Sequence, residues 1–210
     1  GGEVVGRLEL PVVRPEHEQQ VEDLIGLASV VRDHAQLVVD PQLLARLDEH
    51  RPLARSEVRL LDVVTSAVAA VAVSTADRRI DIDSAGAARD AVVIGDEARL
   101  RQVMDNLLSN AVRYSPEGTS VQVALAVRDG DRPEAVITVA DHGPGLSPEE
   151  AAQVFDRLYR TDEARSRVRG GSGLGLAIVH SIVRSHGGTV SVSSTPGDGA
   201  RFTVTLPLRG

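Results

Sequence analysis

The chain has 210 residues, 42% of them hydrophobic, which is enough for one domain with a well-formed core and an appendage. Its formal net charge of -7 argues against a general nucleic-acid binder, and the absence of cysteine excludes disulfides, thiolate catalysis and Cys-based zinc sites. Aromatic residues make up only 2%, so the core is aliphatic, and with no Lys present any basic side chain on a phosphate must be Arg.

Residues 1–55 are divided by prolines and contain two helix-like runs. Apolar residues recur at three- and four-residue steps over 16–39, and 42–48 has the same character. The sequence therefore predicts a short N-terminal helical segment that packs on another helix. The longest nearly apolar stretch, 60–73, is shorter than the ~20 residues that cross a bilayer, and no signal peptide is evident, so we expect a cytoplasmic chain without membrane contact.

From residue 56 the pattern becomes mixed, which predicts a second domain over 56–210. Helices are predicted over 60–73, 97–114 and 174–185, with a further helix starting at Ser147-Pro148. Strands are predicted over 79–83, 91–94, 120–127, 135–140, 189–194 and 201–206. The turns at Asp129-Gly130 and 196–199 join the last four of these strands into two hairpins.

Asn106 and Asn110 lie one turn apart on the helix predicted over 97–114, so both amides share a face. Asn in a helix interior is unfavourable for propensity. A solvated polar face is the simpler interpretation, but the apolar neighbours of Asn106 place at least one amide near the buried side. An amide oxygen in that position suits Mg²⁺, which prefers oxygen ligands.

The stretch Asp141-His142-Gly143-Pro144-Gly145 directly follows the strand predicted over 135–140. A carboxylate at a strand end can accept a hydrogen bond, and the glycines let backbone approach a flat ligand. Taken alone, this pattern also describes ordinary turns.

A glycine-rich stretch, 170–175, opens the helix predicted over 174–185. Glycines before a helix N-terminus expose successive N–H groups, which favour phosphate. The spacing matches neither the P-loop nor the dinucleotide fingerprint. A flexible linker is the alternative, which the immediate start of an apolar helix disfavours. The Arg-rich segment 157–169 that precedes it is expected to be a partly disordered lid.

In this order, the motifs resemble the Bergerat-type (GHKL) ATP-binding fold and, more narrowly, the catalytic domain of bacterial sensor histidine kinases. The matching stretches are the N box (101–115), the G1 box (141–145), the F box (154–160) and the G2 box (171–176), and the resemblance covers roughly residues 56–208. It implies an α+β fold, a two-layer α/β sandwich, preceded by the short helical segment. It also implies ATP-dependent phosphotransfer to a histidine in a two-component system.

The resemblance assigns a role to each matching residue. Asn110 would coordinate Mg²⁺ between the ATP phosphates, and Asn106 would support the phosphate or metal shell. Asp141 would accept a hydrogen bond from the adenine amino group. The other expected nucleotide contacts are Arg113 near the phosphates, Tyr114 near the base, Gly143 and Gly145 around the adenine pocket, Arg160 at the γ-phosphate, and Gly171, Gly173, Leu174 and Gly175 around the phosphates. Asn106 and Arg160 are the expected catalytic residues.

ATP-hydrolysing relatives of this fold carry Glu at the position of Asn106. An amide cannot be a general base toward water, which favours transfer to a protein acceptor. The last hairpin departs from the family, because Ala200 stands where Thr or Ser is usual after the second glycine, and the missing hydroxyl is expected to weaken nucleotide binding modestly.

No acceptor motif like His-Glu-Leu-Arg-Thr-Pro-Leu occurs. His17 precedes Glu18, but the Arg-Thr-Pro continuation is missing, while 20–28 and 44–48 resemble the second dimerisation helix. Segment 1–55 is therefore either part of a dimerisation domain or a divergent one. The implied partners are ATP, a response-regulator receiver domain and a sister chain, in the cytoplasm or on the cytoplasmic part of a membrane-anchored sensor. The alternatives are a nucleotide-binding regulator or an anti-sigma-factor-like serine kinase of the same fold.

Overall fold

A computed structural model describes residues 54–75, 78–84, 86–156, 159 and 173–209 of the chain. The two predicted N-terminal helical runs and His17 lie outside these residues, as do Arg160 and Gly171. The described residues belong to a compact unit, Leu53–Gly210.

Four α-helices occur among the described residues. They are α1 (Leu60–Ser74), α2 (Glu97–Tyr114), α3 (Pro148–Gln153) and α4 (Gly175–Ser185), and a 3₁₀ helix spans Gly86–Asp90. In α2 the apolar positions recur at three- and four-residue steps, and all of them are buried: Leu100, Val103, Met104, Leu107, Leu108 and Ala111. The helix begins after Asp96, whose side chain caps it, and ends before Pro116, which cannot continue it.

Five strands form the main sheet and two form a small one. In chain order the strands are β1 (Ser56–Arg59), β2 (Ile80–Ser84), β3 (Val92–Gly95), β4 (Val121–Arg128), β5 (Glu134–Ala140), β6 (Thr189–Ser194) and β7 (Ala200–Pro207). The main sheet has the order β2-β4-β5-β7-β6, with β2 parallel to β4 and the other neighbours antiparallel. Strand β5 is therefore central, and β1 pairs separately with β3.

The helices cover one face of the main sheet, which gives the predicted two-layer α/β sandwich. Helix α2 contacts α1 and α4 as well as β4 and β5, while α4 contacts β6 and β7. The buried strand residues alternate along β4, β5 and β7 and join the helix side chains in one aliphatic core. The opposite face carries small or polar residues such as Ala124, Thr138 and Thr203, and it has no second layer among the described residues.

The predicted helices and the two predicted hairpins are confirmed to within a residue or two at their ends. Strand β1 and the 3₁₀ helix were not predicted. Only Val58 is buried in β1, so its four residues carry no readable alternation, and its partner β3 lies more than thirty residues further along the chain. Within the part of the chain that the structure covers, no helix is long and apolar enough to cross a membrane.

Candidate nucleotide-binding site

Asp141 lies directly after the central strand β5 and is held by backbone groups of the loop that follows it and of the first residue of β7. Its Oδ1 accepts hydrogen bonds from Gly143 N at 2.8 Å and from Ala200 N at 3.3 Å. Its own N–H donates to the carbonyl of Ala200 at 2.9 Å. No group of the described residues hydrogen-bonds to Oδ2, so one carboxylate oxygen fixes the loops and the other is available to a ligand.

Partial burial is the largest influence on the pKa of this carboxyl group. Desolvation raises the pKa of Asp141 above its usual value, while the hydrogen bonds from Gly143 and Ala200 and the charge of His142 act in the opposite direction. A partly desolvated acceptor attracts a hydrogen-bond donor more strongly than an acceptor in water does. Asp141 is therefore suited to recognise an amino group.

The loop that follows Asp141 is packed against the turn between β6 and β7. A Cβ on Gly145 would stand 2.1 Å from the carbonyl oxygen of Thr195, and one on Gly199 would stand 2.0 Å from that of Asp141. Both residues also have positive φ, which other residues adopt at a cost. The resemblance assigns Gly145 to the adenine pocket, which stays a prediction, and the structure adds a packing reason for glycine there: the backbone of Thr195 leaves no room for a side chain.

Ser194 fastens these two loops together. Its hydroxyl accepts a hydrogen bond from Leu146 N at 2.8 Å and donates one to the carbonyl of Gly199 at 2.6 Å. The sequence gives no signal for this role, because a Ser at the end of a predicted strand has many uses.

Asn106 and Asn110 lie on α2 as predicted, and both are partly buried. Neither side chain hydrogen-bonds to another residue within the described part of the chain. The N-terminus of α4 reaches Asn106, because a Cβ on Gly175 would stand 3.2 Å from Asn106 Oδ1. The paired amides and the glycine-rich helix start are thus brought together by the packing of α4 on α2.

The C-terminal end of α2 meets the loop of Asp141. A Cβ on Gly143 would stand 3.2 Å from the carbonyl oxygen of Tyr114 and 2.8 Å from Asp141 Oδ1. The side chain of Tyr114 is partly buried and that of Arg113 is exposed. Helix α2 therefore connects the two halves of the predicted site, the amide pair at its middle and the carboxylate loop at its end.

Arg78 stabilises this end of α2, a contact that the sequence does not predict. Its guanidinium donates to the carbonyl of Ser115 at 2.8 Å and to that of Pro116 at 2.5 Å. A cation at a helix C-terminus is favourable, because it satisfies carbonyls that have no partner within the helix. The Ser115 hydroxyl in turn accepts from His142 N at 3.4 Å.

The F box is described only in part. Phe155 packs edge-on against Phe202 of β7, with 6.3 Å between ring centroids, and lies 6.0 Å from the ring of His180. Of the remaining predicted contacts, Gly173 and Leu174 immediately precede α4, and Leu174 is its N-cap residue.

Comparison with known proteins agrees with this geometry. Residues 95–210 match the family described as histidine kinase-, DNA gyrase B- and HSP90-like ATPase. The probable sensor histidine kinase TcrY of Mycobacterium tuberculosis is 41% identical over 184 residues, which cover 88% of this chain and 38% of that protein. The sensor-like histidine kinase SenX3 of the same organism is 43% identical over 137 residues, which cover 65% of this chain and 32% of that protein.

Solved structures give the same result. The mycobacterial sensor histidine kinase MprB has a TM-score of 0.63 at 31% identity, over 74% of this chain and 98% of that one. The ATP-binding domain of PrrB from Mycobacterium tuberculosis has a TM-score of 0.58 at 26% identity, over 75% of this chain and 99% of that one.

The fold and the site define an ATP-binding domain of the two-layer type. The chain belongs to the histidine kinase-, DNA gyrase B- and HSP90-like ATPase family, and residues 95–210 are a histidine kinase ATPase domain of the kind found in sensor kinases. The chain spans 38% and 32% of the length of TcrY and SenX3, respectively.

Replacing Asp141 with Asn should leave the folded domain at least as stable as the wild type at about pH 7. The amide keeps an acceptor for Gly143 N and Ala200 N but removes a charge that burial disfavours. Because the folded-state pKa of Asp141 is raised, the wild type gains stability as pH falls through that pKa, and the difference should shrink toward about pH 4.

Urea unfolding of both proteins across this pH range measures the difference, with the exposed turn variant Asp129→Asn as the control for a change in net charge. A variant at Asp141 that is less stable than the wild type at every pH would contradict the stated cost of burying this carboxylate.

Proposed function

We propose that this domain binds Mg-ATP and donates the γ-phosphate to a histidine of a dimerisation domain, for relay to the receiver domain of a response regulator. The observation that carries the proposal is the state of Asp141, whose Oδ1 holds two backbone N–H groups while its Oδ2 has no partner among the described residues. The adenine amino group is a donor suited to that oxygen. Since ATP is a cytoplasmic metabolite, we place the domain on the cytoplasmic side of the cell.

The phosphates and their metal fit the groups on α2 and α4. Amide oxygens are suitable ligands for Mg²⁺, which keeps several waters and binds phosphate oxygens alongside few protein groups. Asn110 would hold the ion, and Asn106 would support it beside the start of α4, where backbone N–H groups and the helix dipole favour phosphate. The described residues contain no cluster of acidic or His side chains that would form a metal site without phosphate. When bound, the ion neutralises charge that develops on the transferred group.

Transfer to a protein acceptor is favoured over attack by water. Asn106 occupies the position at which ATP-hydrolysing relatives carry Glu, and its amide cannot take a proton from water. The predicted site residues, none of which is needed as a base toward water, can orient the nucleotide and stabilise charge. Phosphoryl transfer depends mainly on these two effects. Arg160, which the family resemblance assigns to the γ-phosphate, would supply a positive charge that stabilises the negative charge of the transferred group. A nucleotide-binding regulator without phosphotransfer is the second candidate, because the chain contains no recognisable acceptor motif.

Binding of ATP in the presence of Mg²⁺ tests the site directly. Asp141→Ala and Asn110→Ala should each weaken binding by at least about tenfold, since each removes a charge-assisted or metal contact. GTP should bind poorly, because it presents a carbonyl where adenine presents an amino group. Calorimetric titration of the 210-residue chain provides the measurement, and Ser109→Ala, at an exposed position of α2, is the matched control. Unchanged affinity in both site variants would refute the assignment.

Ala200→Thr should tighten ATP binding about two- to fivefold, the effect of one added hydrogen bond. Position 200 alternates with the buried Phe202 and Val204, so its side chain lies on the face of β7 that carries the helices. A hydroxyl there would stand beside Asp141, whose Oδ1 already accepts from Ala200 N. The same titration gives the affinity, and Ala200→Val, with equal bulk and no hydroxyl, separates hydrogen bonding from packing. Equal tightening in both variants would contradict the explanation.

Phosphotransfer requires a second assay. With γ-labelled ATP, label should appear on a separately supplied dimerisation domain that carries its histidine, and should be stable to base and lost in acid, as phosphohistidine is. Asn110→Ala should abolish the labelling. Binding of ATP with no labelling of any dimerisation domain would favour the regulator.

A further inference from the structure

The imidazole of His186 connects the last turn of α4 to Asp96, the N-cap residue of α2. Its Nε2 lies 3.0 Å from Asp96 N, and its Nδ1 lies 2.8 Å from the carbonyl oxygen of Ile182. A carbonyl only accepts and a backbone N–H only donates, so Nδ1 carries the ring proton and Nε2 is the acceptor. The ring is thus held by the Ile182 carbonyl at the end of α4 and satisfies one N–H at the start of α2.

The acceptor is needed because α2 cannot supply its own. In a capping box the third helical residue is Glu or Gln, whose side chain accepts from the N–H of the cap residue. Helix α3 has this arrangement, with Ser147 as cap and Glu150 accepting from Ser147 N at 2.8 Å. In α2 the third residue is Arg99, and a guanidinium has no acceptor. His186, at the end of a different helix, therefore accepts the hydrogen bond from the N-cap N–H of α2, as Glu150 accepts the one from the N-cap N–H of α3.

Gly95 makes room for the ring. A Cβ at this position would stand 2.5 Å from Cδ2 and 2.9 Å from Nε2 of His186. The backbone of Gly95 does not have positive φ, so an Ala there is opposed by its neighbours, first the ring and then Leu100 Cδ1 at 3.3 Å, rather than by its own conformation. The simplest response to Gly95→Ala is that the ring swings away and the bond to Asp96 N is lost.

The two helices run antiparallel and touch near both ends of α4. Gly175, the first residue of α4, lies against Asn106, and His186, just past its last residue, lies against Asp96. Asn106 and Asp96 are separated by about 15 Å along α2, close to the length of α4 at ~1.5 Å per residue. A shift of α4 along α2 is therefore opposed at the His186 end and changes the geometry at the Gly175 end.

We propose that His186 is a positioning residue for the nucleotide site: its bond to Asp96 fixes the position of α4 along α2 and thereby holds the phosphate-binding start of α4 against Asn106. This inference rests on the Mg-ATP site proposed above. The residue makes no contact with the nucleotide itself, because it lies at the opposite end of α4.

The test combines nucleotide affinity with the amide signal of Asp96 in ¹H–¹⁵N spectra of the 210-residue chain. In His186→Ala and in Gly95→Ala the Asp96 amide proton should move upfield, with or without nucleotide, and the dissociation constant for Mg-ATP should rise about fivefold in each. The double variant should bind no more weakly than either single variant, because both remove the same bond.

His186→Gln should restore affinity, because the Gln carbonyl reaches as far as Nε2 and accepts from Asp96 N, and it keeps the test usable if the Ala variants do not fold. Arg184→Gln, at an exposed position of the same turn, is the matched control and should change neither readout. An unshifted Asp96 amide in the His186 and Gly95 variants, or a shifted amide with unchanged affinity, would overturn the proposal. Failure of the wild type to bind Mg-ATP would instead refute the proposed function, while the amide shift would still decide whether the bond exists.

Discussion

The site depends on the hydrogen bonds that Asp141 Oδ1 accepts from Gly143 and Ala200. One of these N–H groups belongs to the loop after β5 and the other to the first residue of β7, so a single oxygen holds the loop to the start of the neighbouring strand. Partial burial makes the charged carboxylate less favourable, and its raised pKa expresses that cost. Under the proposed function, the second oxygen would accept a hydrogen bond from the ligand, and such a compromise between stability and binding is common at functional sites.

Helix α2 connects the Asp141 loop to the start of α4 and to the core of the domain. Its apolar stripe is buried against the sheet and the neighbouring helices, and Asn106 lies beside the first residue of α4. Its C-terminal end abuts Gly143 and its middle abuts Gly175, where an added Cβ would stand 2.8 Å from Asp141 Oδ1 and 3.2 Å from Asn106 Oδ1, respectively. The packing of the protein on itself therefore favours glycine at both positions, in addition to any role toward phosphate or base.

Features that repeat along the chain could be predicted from the sequence. The periodic apolar residues of α2 and the alternation in β4 and β5 predicted these three elements almost over their full lengths. The order of the motifs predicted the family. Single polar residues that act across long separations could not be predicted. Ser194, Arg78 and His186 each have one partner or a few partners far away in sequence, and nothing in their neighbours marks the pairing. The roles assigned to the nucleotide-binding residues, Arg160 and Gly171 included, and the helical segment at 1–55 stay predictions.

We infer that Asp141 and the amides on α2 hold the two ends of one nucleotide. A crystal structure of the chain with Mg²⁺ and a non-hydrolysable ATP analogue tests this most directly. We expect the adenine amino group within hydrogen-bonding distance of Asp141 Oδ2 and the metal on Asn110 Oδ1, with the phosphates at the start of α4. Adenine bound away from Asp141, or phosphates that leave both amides of α2 without contact, would contradict it.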